Sequence, residues 1–228
     1  MAKSIFKPIA DYRKQLLENW PGNWPRKENH VNQNDITLKQ YRELASLIEG
    51  KAGERDLEHY LGENREVLSL VIWMFSTGHH MSWVFPKEQI RPASGPTGGL
   101  IPDYLMAGAS SSGVQWFVLE LKGADKRAFI TSGYRVSLST DANRGICQLL
   151  NYIDLSSRDQ AYLRDGLELS GFREPQGLLL IGTDEETEDP KVQNFKNAWN
   201  RINSKVQLRS YSGLLRKVKG KLKDFNRL

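Results

Sequence analysis

The sequence predicts an α/β fold in which helices flank a central sheet, with elements in the order αβββαβ behind an N-terminal helical extension. Three observations carry that prediction. A helical pattern from Glu54 to about Phe75 precedes three apolar strand-like runs. A second amphipathic stretch, Asp141 to Leu155, separates those runs from the short apolar run Gly177–Gly182. Helices alternating with strands in this way indicate one sheet covered on both faces. The 228 residues suffice for one large domain with a small extension, and 39% hydrophobic residues are enough for one sizeable core.

Residues 1–50 are read as the extension and residues 51–228 as the main domain. Ala10 to Trp20 is weakly helical and stops before Pro21-Gly22. Trp20 and Trp24 flank a loop ending in Arg26-Lys27, open to two readings: base stacking beside phosphate contacts, or two indoles pinning a loop to the core. Thr37 is placed to cap a helix running to about Glu49, with Leu44, Leu47 and Ile48 on one side. Beyond the break at Lys51-Ala52-Gly53 the helix from Glu54 carries Leu57, Tyr60, Leu61, Val67, Leu68, Val71 and Ile72, with a pause at Gly62–Arg65. Glu54 and Glu58, four apart, share one stripe. His79-His80 is no metal pair, because neighbouring side chains face apart, and His30 and His59 add no ligand spacing.

Trp83 to Arg91 reads as a strand, and Ser94–Gly99 as a flexible loop that lacks the helix and Lys-Ser/Thr of a phosphate-binding loop. Leu100 to Lys122 is the stretch of greatest interest. Two apolar strands meet at the polar turn Ser110-Ser111-Ser112-Gly113. A turn centred between Ser111 and Ser112 sets Asp103 directly opposite Glu120, with Cβ atoms about 5 Å apart. Lys122 shares the face of Glu120. The run Phe117–Leu119 and Leu121 marks a strand covered on both faces, where charge must be paired or bind a metal. Two opposed carboxylates repel, which raises one pKa. Oxygen ligands of this kind suit Mg²⁺ or Mn²⁺, with substrate phosphate completing the shell. The other reading is a structural ion triad.

Gly123 to Thr140 reads as a polar connection containing Lys126, Arg127 and Arg135. In the helix that follows, Ile146, Leu149, Leu150 and Ile153 form the apolar stripe, and Arg144, Gln148 and Tyr152 a second one at four-residue steps. Arg144 is suited to a phosphate oxygen. Pro190 to about Asn203 is amphipathic through Val192, Phe195, Trp199 and Ile202. Val206 to Tyr211 is a short strand, and a last helix begins near Ser212-Gly213. The basic end, including Arg216 and Lys217, either grips a nucleic-acid backbone or is a solvated helix face.

The formal net charge of +5 is compatible with a phosphate-rich partner. No apolar run of membrane-spanning length occurs, and Met1–Gln15 lacks a signal-peptide apolar region. One cysteine, Cys147, excludes an internal disulfide and fits a reducing cytosol. A cytoplasmic protein without a membrane span is expected.

Pro102-Asp103 followed by Glu120-Leu121-Lys122 resembles the PD-(D/E)xK signature of restriction-type nucleases. Spaced elements in order extend the likeness to the Shedu-type nuclease domain: ERDLEHYLGENREVL from Glu54, IPDYL, VLELK, the Ser- and Arg-containing connection, QLLNY from Gln148, GLLLIG, and RSYSGLL from Arg209. Arg65 stands where that pattern carries a proline. The resemblance covers about residue 50 to the end. It implies a restriction-endonuclease-like core with a mixed sheet, and a Mg²⁺- or Mn²⁺-dependent endonuclease acting on DNA in prokaryotic antiphage defence. It also implies roles for residues. Asp103 and Glu120 hold metal, with Glu54 (Glu58 in second place) and the Leu121 carbonyl as supplements; Lys122 orients the attacking water; Gln148 and Tyr152 position water and substrate. Arg144, Tyr152, Arg135, Lys126, Arg216 and Lys217 are the nucleic-acid-contact candidates. Shedu proteins often form oligomers, so a homo-oligomer is an open expectation. The competing readings are a catalytically inactive nucleic-acid-binding module on the same fold and an interaction subunit whose partner carries the chemistry.

Overall fold

The computed structural model describes residues 14, 15, 17–75, 78–91 and 99–228. The expected helix from Ala10 falls partly, and the Ser94–Gly99 loop almost wholly, outside the described residues. The described residues form eight strands: β1 (His30–Val31), β2 (Met81–Pro86), β3 (Tyr104–Ser110), β4 (Gly113–Leu121), β5 (Phe129–Ser132), β6 (Arg135–Leu138), β7 (Gln176–Leu180) and β8 (Val206–Arg209). Six of them form one mixed sheet in the order β1-β2-β3-β4-β7-β8. The pairs from β1 to β4 are antiparallel, whereas β4–β7 and β7–β8 are parallel.

Alternation along the central strands assigns each side chain to one of two cores. Val84, Tyr104, Met106, Phe117 and Leu119 face α1 (Leu38–Glu49), α2 (Glu54–Glu63), α3 (Arg65–Ser69) and α7 (Tyr211–Asp224). Trp83, Phe85, Leu105, Trp116 and Val118 face α4 (Thr140–Arg158), α5 (Gln160–Asp165) and α6 (Pro190–Ile202). Burial of such side chains stabilises by about 1.5–3 kcal/mol each before entropy is counted.

Packing crosses residue 50. β1 pairs with β2, and Leu44 and Ile48 of α1 share a core with Leu57 and Tyr211. The start of α1 is fixed by a capping box: the Gln40 N–H donates to Thr37 Oγ1 at 3.3 Å and the Thr37 N–H to Gln40 Oε1 at 2.8 Å. Trp20 and Trp24 pack edge-on against the fully buried Trp83, with ring centroids 6.0 and 5.5 Å away. These contacts support the pinning reading of the two indoles.

Several element boundaries differ from the sequence reading. The long helix from Glu54 breaks at Asn64, whose φ of −116° and ψ of 61° are not helical, giving α2 and α3. β2 stops at Pro86 because Lys87 turns the chain with a φ of +49°; further on, Ile90 makes only an isolated bridge to Leu100. The polar connection after Gly123 contains the β5–β6 hairpin. Leu150, expected in the apolar stripe of α4, is 51% exposed. The true stripe runs through Ala142, Ile146, Leu149 and Tyr152, rotated by one residue, since Gly145 lets the helix lie on Leu179. Ile202, expected on the apolar face of α6, is the last residue of that helix and is 75% exposed.

Candidate active site

The β3–β4 hairpin has the register that the turn dictates: Tyr104 pairs with Leu119 and Ser110 with Gly113. Asp103, the residue before β3, therefore comes opposite Glu120, the penultimate residue of β4. Asp103 Oδ2 accepts the Leu121 N–H at 2.8 Å. Lys122 follows the strand and donates to Glu120 Oε1 at 3.0 Å. Its ammonium lies 3.4 Å from Glu54 Oε2. Gly123 explains how the first turn of α2 comes so close. A Cβ there would lie 3.1 Å from the Glu54 nitrogen, and the Ala124 N–H bonds the Ala52 carbonyl at 2.9 Å.

A second ammonium group joins from the end of β2. Lys87 donates to Asp103 Oδ1 at 2.8 Å and lies 2.6 Å from Glu58 Oε1. Glu54 and Glu58, on one stripe of α2, thus engage different lysines. Four carboxylates (Glu54, Glu58, Asp103 and Glu120) share two ammonium groups (Lys87 and Lys122) in direct ion pairs. This leaves an excess of negative charge. Glu120 and Lys122 are both buried.

The ionisation states follow from that excess. Burial, and next the Asp103 charge, push the Glu120 carboxyl up to about 7, against the opposing pull of Lys122. Burial alone would lower the Lys122 ammonium, but Glu120, Glu54 and Asp103 outweigh it and carry the group above its ordinary value. Lys87 behaves likewise: Asp103 and Glu58 overcome burial and raise it. Both lysines are therefore held in the charged form.

From the α4 side come Gln148 and Tyr152. The Tyr152 hydroxyl donates to the Ile101 carbonyl at 3.1 Å. Burial, then the charges of Glu120 and Asp103, raise its pKa, so it stays protonated. The Tyr152 hydroxyl also lies against the Glu120 and Gln148 side chains, but Glu120 Oε2 and Gln148 Oε1 are buried without a well-aligned donor among the described residues. Arg144 is exposed one turn before Gln148. Unsatisfied acceptors beside surplus carboxylate call for a cation or a donor.

These residues fit a hard cation that takes few protein ligands. Among the described residues, no group of three or more His, Cys, Asp or Glu side chains is arranged to hold a metal. An ion held here would have the Asp103–Glu120 pair as its protein ligands, since Glu54 is tied to Lys122. Such sparse ligation is the habit of Mg²⁺, which keeps several waters and takes up substrate phosphate oxygens.

The remaining candidates lie elsewhere. Lys126 is exposed and paired with Asp125 at 2.8 Å. Arg135 is exposed on β6 beside the tip residue Tyr134. Arg216 pairs with Asp184, and Lys217 is exposed on α7; neither joins the acidic centre. Lys87 is the residue that the sequence reading missed. Its one signal was a lysine directly after the apolar run Trp83–Pro86, at the end of the strand beside Asp103.

Fold and site together define an α/β protein with a paired-carboxylate centre at one end of a mixed sheet. Residues 51–215 match the family described as Shedu protein SduA, C-terminal, and the chain belongs to that family. Membership implies a role in Shedu antiphage defence. No curated protein matches the chain. Among the described residues no helix is long and apolar enough to cross a membrane.

Proposed function

We propose that this chain is a Mg²⁺- or Mn²⁺-dependent endonuclease that hydrolyses phosphodiester bonds in DNA, working on a restriction-endonuclease-like PD-(D/E)xK core within Shedu defence. One observation carries the reading: the hairpin register that opposes Asp103 to Glu120 while Lys122 donates to Glu120. Asp103 and Glu120 would hold the ion. When bound it supplies a water of lowered pKa and neutralises charge on the phosphoryl oxygens.

The chain's own residues do the rest. Lys122, held charged by three carboxylates, cannot serve as a base; it orients the attacking water and balances charge in the transition state. Glu120 must lose its proton to act as a ligand, so a divalent ion would bind the metal-free protein more tightly as pH rises toward neutrality. Lys87 occupies Asp103 Oδ1 and would have to release that oxygen for an ion, keeping its pair with Glu58. Gln148 and Tyr152 offer an acceptor and a donor beside Glu120 for water and substrate. Arg144, Lys126 and Arg135, all exposed, supply contacts to the DNA backbone. The exposed Cys147 suits a reducing cytosol.

A second reading, a non-catalytic nucleic-acid-binding module, draws on the lysines that already cover Asp103 and Glu120. The two part in one assay, in which supercoiled circular DNA is incubated with and without Mg²⁺ or Mn²⁺. Metal-dependent nicking that Lys122→Ala or Glu120→Gln abolishes is the expected result. Full cleavage by either folded variant rejects the proposed centre, and metal-independent DNA binding without nicking favours the module.

A further inference from the structure

Arg216 and Lys217, apart from the acidic centre, line a cavity of about 770 Å³ between α7, β8 and the helical turn Ile72–Met74. Five cations line it (Lys196, Arg209, Arg216, Lys217 and Lys221) against two carboxylates, Asp184 and Asp224. Asp184 is already saturated. It accepts from Ser210 Oγ and from Arg216, and Lys196 lies 3.7 Å away. Val206 and Leu208 point into the α4–α6 core, so Arg209 faces the opposite side of the sheet.

Arg209 is the informative residue. Its Nε donates to the Met74 carbonyl at 3.1 Å and one terminal nitrogen to Gln207 Oε1 at 2.7 Å. Among the described residues no carboxylate pairs with it. A guanidinium carries five donors, and a half-buried one without a counter-charge is costly. Burial pushes its pKa down. Lys221 likewise has no ion pair among the described residues; its ammonium rests over the Trp73 ring, 5.4 Å from the centroid. The Trp73 indole N–H is buried without an acceptor among the described residues. The wall is thus rich in donors and poor in free acceptors. Gly220 adds space: a Cβ there would meet nothing within 4 Å, so packing does not require glycine, although glycine weakens a helix interior.

We infer that this cavity binds a small phosphate-bearing ligand of nucleotide size, with Arg209 anchoring the phosphate oxygens, Lys217 and Lys221 supporting them, and Trp73, Leu70 and Met74 forming the apolar wall. The volume is that of a small-molecule site, and a surplus of fixed donors suits an acceptor-rich oxyanion. The site is independent of the nuclease reading, because none of its lining residues belongs to the acidic centre and Arg209 points to the other sheet face from Glu120.

Calorimetric titration of the full chain, in chelator so that cleavage is silent, tests it with nucleoside triphosphates, inorganic pyrophosphate and a short DNA duplex as probes. Saturable binding of a nucleoside triphosphate is expected, with pyrophosphate weaker. Arg209→Ala weakens it at least about tenfold, and Gly220→Leu, which projects a branched side chain from the cavity wall, weakens it as well. Glu120→Gln binds as the unaltered chain does, which keeps this outcome distinct from the success or failure of cleavage. If Arg209→Ala does not fold, Lys221→Glu reads the same charge from a half-exposed position. Three results overturn the inference: no saturation by either free phosphate probe, equal affinity in the folded variants, or binding of the duplex alone, which would assign the cavity to the DNA backbone.

Discussion

The acidic centre and the basic cavity stand at the same end of the sheet, with Glu120 and Arg209 pointing to opposite faces of it while Glu54 and Glu58 reach the centre from α2, on the side of α7. Strands β4, β7 and β8 run parallel, and backbone bonds step across their carboxyl ends, from the Lys122 N–H to the Leu180 carbonyl and from the Ile181 N–H to the Arg209 carbonyl. At one end of that row carboxylates outnumber ammonium groups and two buried oxygens lack a well-aligned donor among the described residues. At the other, donors outnumber free acceptors. Open α/β sheets place ligands at the carboxyl ends of their strands, and here the chain equips that edge twice with opposite polarity. Each region is electrically incomplete, so each predicts its own missing partner: a cation for one, an oxyanion for the other.

The widest separation between the two regions is expected in catalysis. Glu120→Gln keeps the shape of the side chain and removes its charge; cleavage of circular DNA, followed on agarose, should fall by about a thousandfold. Chelation of the divalent ion should do the same to the unaltered chain. Arg209→Ala should leave the metal requirement for nicking in place.

Stability against pH should divide the regions by sign. Glu120, raised to about 7, keeps a proton in the native state that the unfolded chain has released. The metal-free fold therefore loses stability as pH rises from the ordinary glutamate range to about 7, by on the order of 3 kcal/mol. Glu120→Gln removes that slope. Asp184 is the opposite case. Burial would raise it, but Ser210, Arg216 and Lys196 hold its carboxyl below the usual range. Its contribution is present above the ordinary aspartate pKa and is lost as pH falls through the depressed value; Asp184→Asn flattens that acid limb. Urea denaturation across pH, in chelator, reads both slopes.

Smaller effects sharpen the comparison. Lys87→Met removes the ammonium that covers Asp103 Oδ1, so Mn²⁺, titrated by calorimetry, should bind several-fold more tightly, with a gain on the order of 1 kcal/mol. Gly220→Ala should raise the unfolding free energy by up to about 1 kcal/mol, read by urea denaturation, since alanine is the better helix former and meets no atoms there.

Much of the acidic centre was legible in the sequence because a two-residue turn fixes register, and register alone decides that Asp103 meets Glu120. Neighbouring apolar residues then show that the charges are buried. Lys87 was not legible, because its place depends on how β2 pairs with β3, and nothing local in Phe85-Pro86-Lys87 states that register. The β5–β6 hairpin escaped because only Phe129 of its eight strand residues is buried, leaving no alternation to read. Leu150 and Ile202 were assigned inward because apolar spacing cannot report where a neighbouring element stops. The basic cavity was invisible for a similar reason: Trp73 is far from Arg209 and Lys221 in the chain and meets them only through the fold.

Asp103 has two duties on two oxygens. One faces a lysine, and the other ties the start of β3 to the Leu121 N–H at the end of β4. Alanine at this position would unpick a strand junction and discharge the site in a single stroke, so a dead variant could mean either loss. Asparagine retains an oxygen for the strand junction while surrendering the charge, which makes it the cleaner scalpel for separating architecture from chemistry.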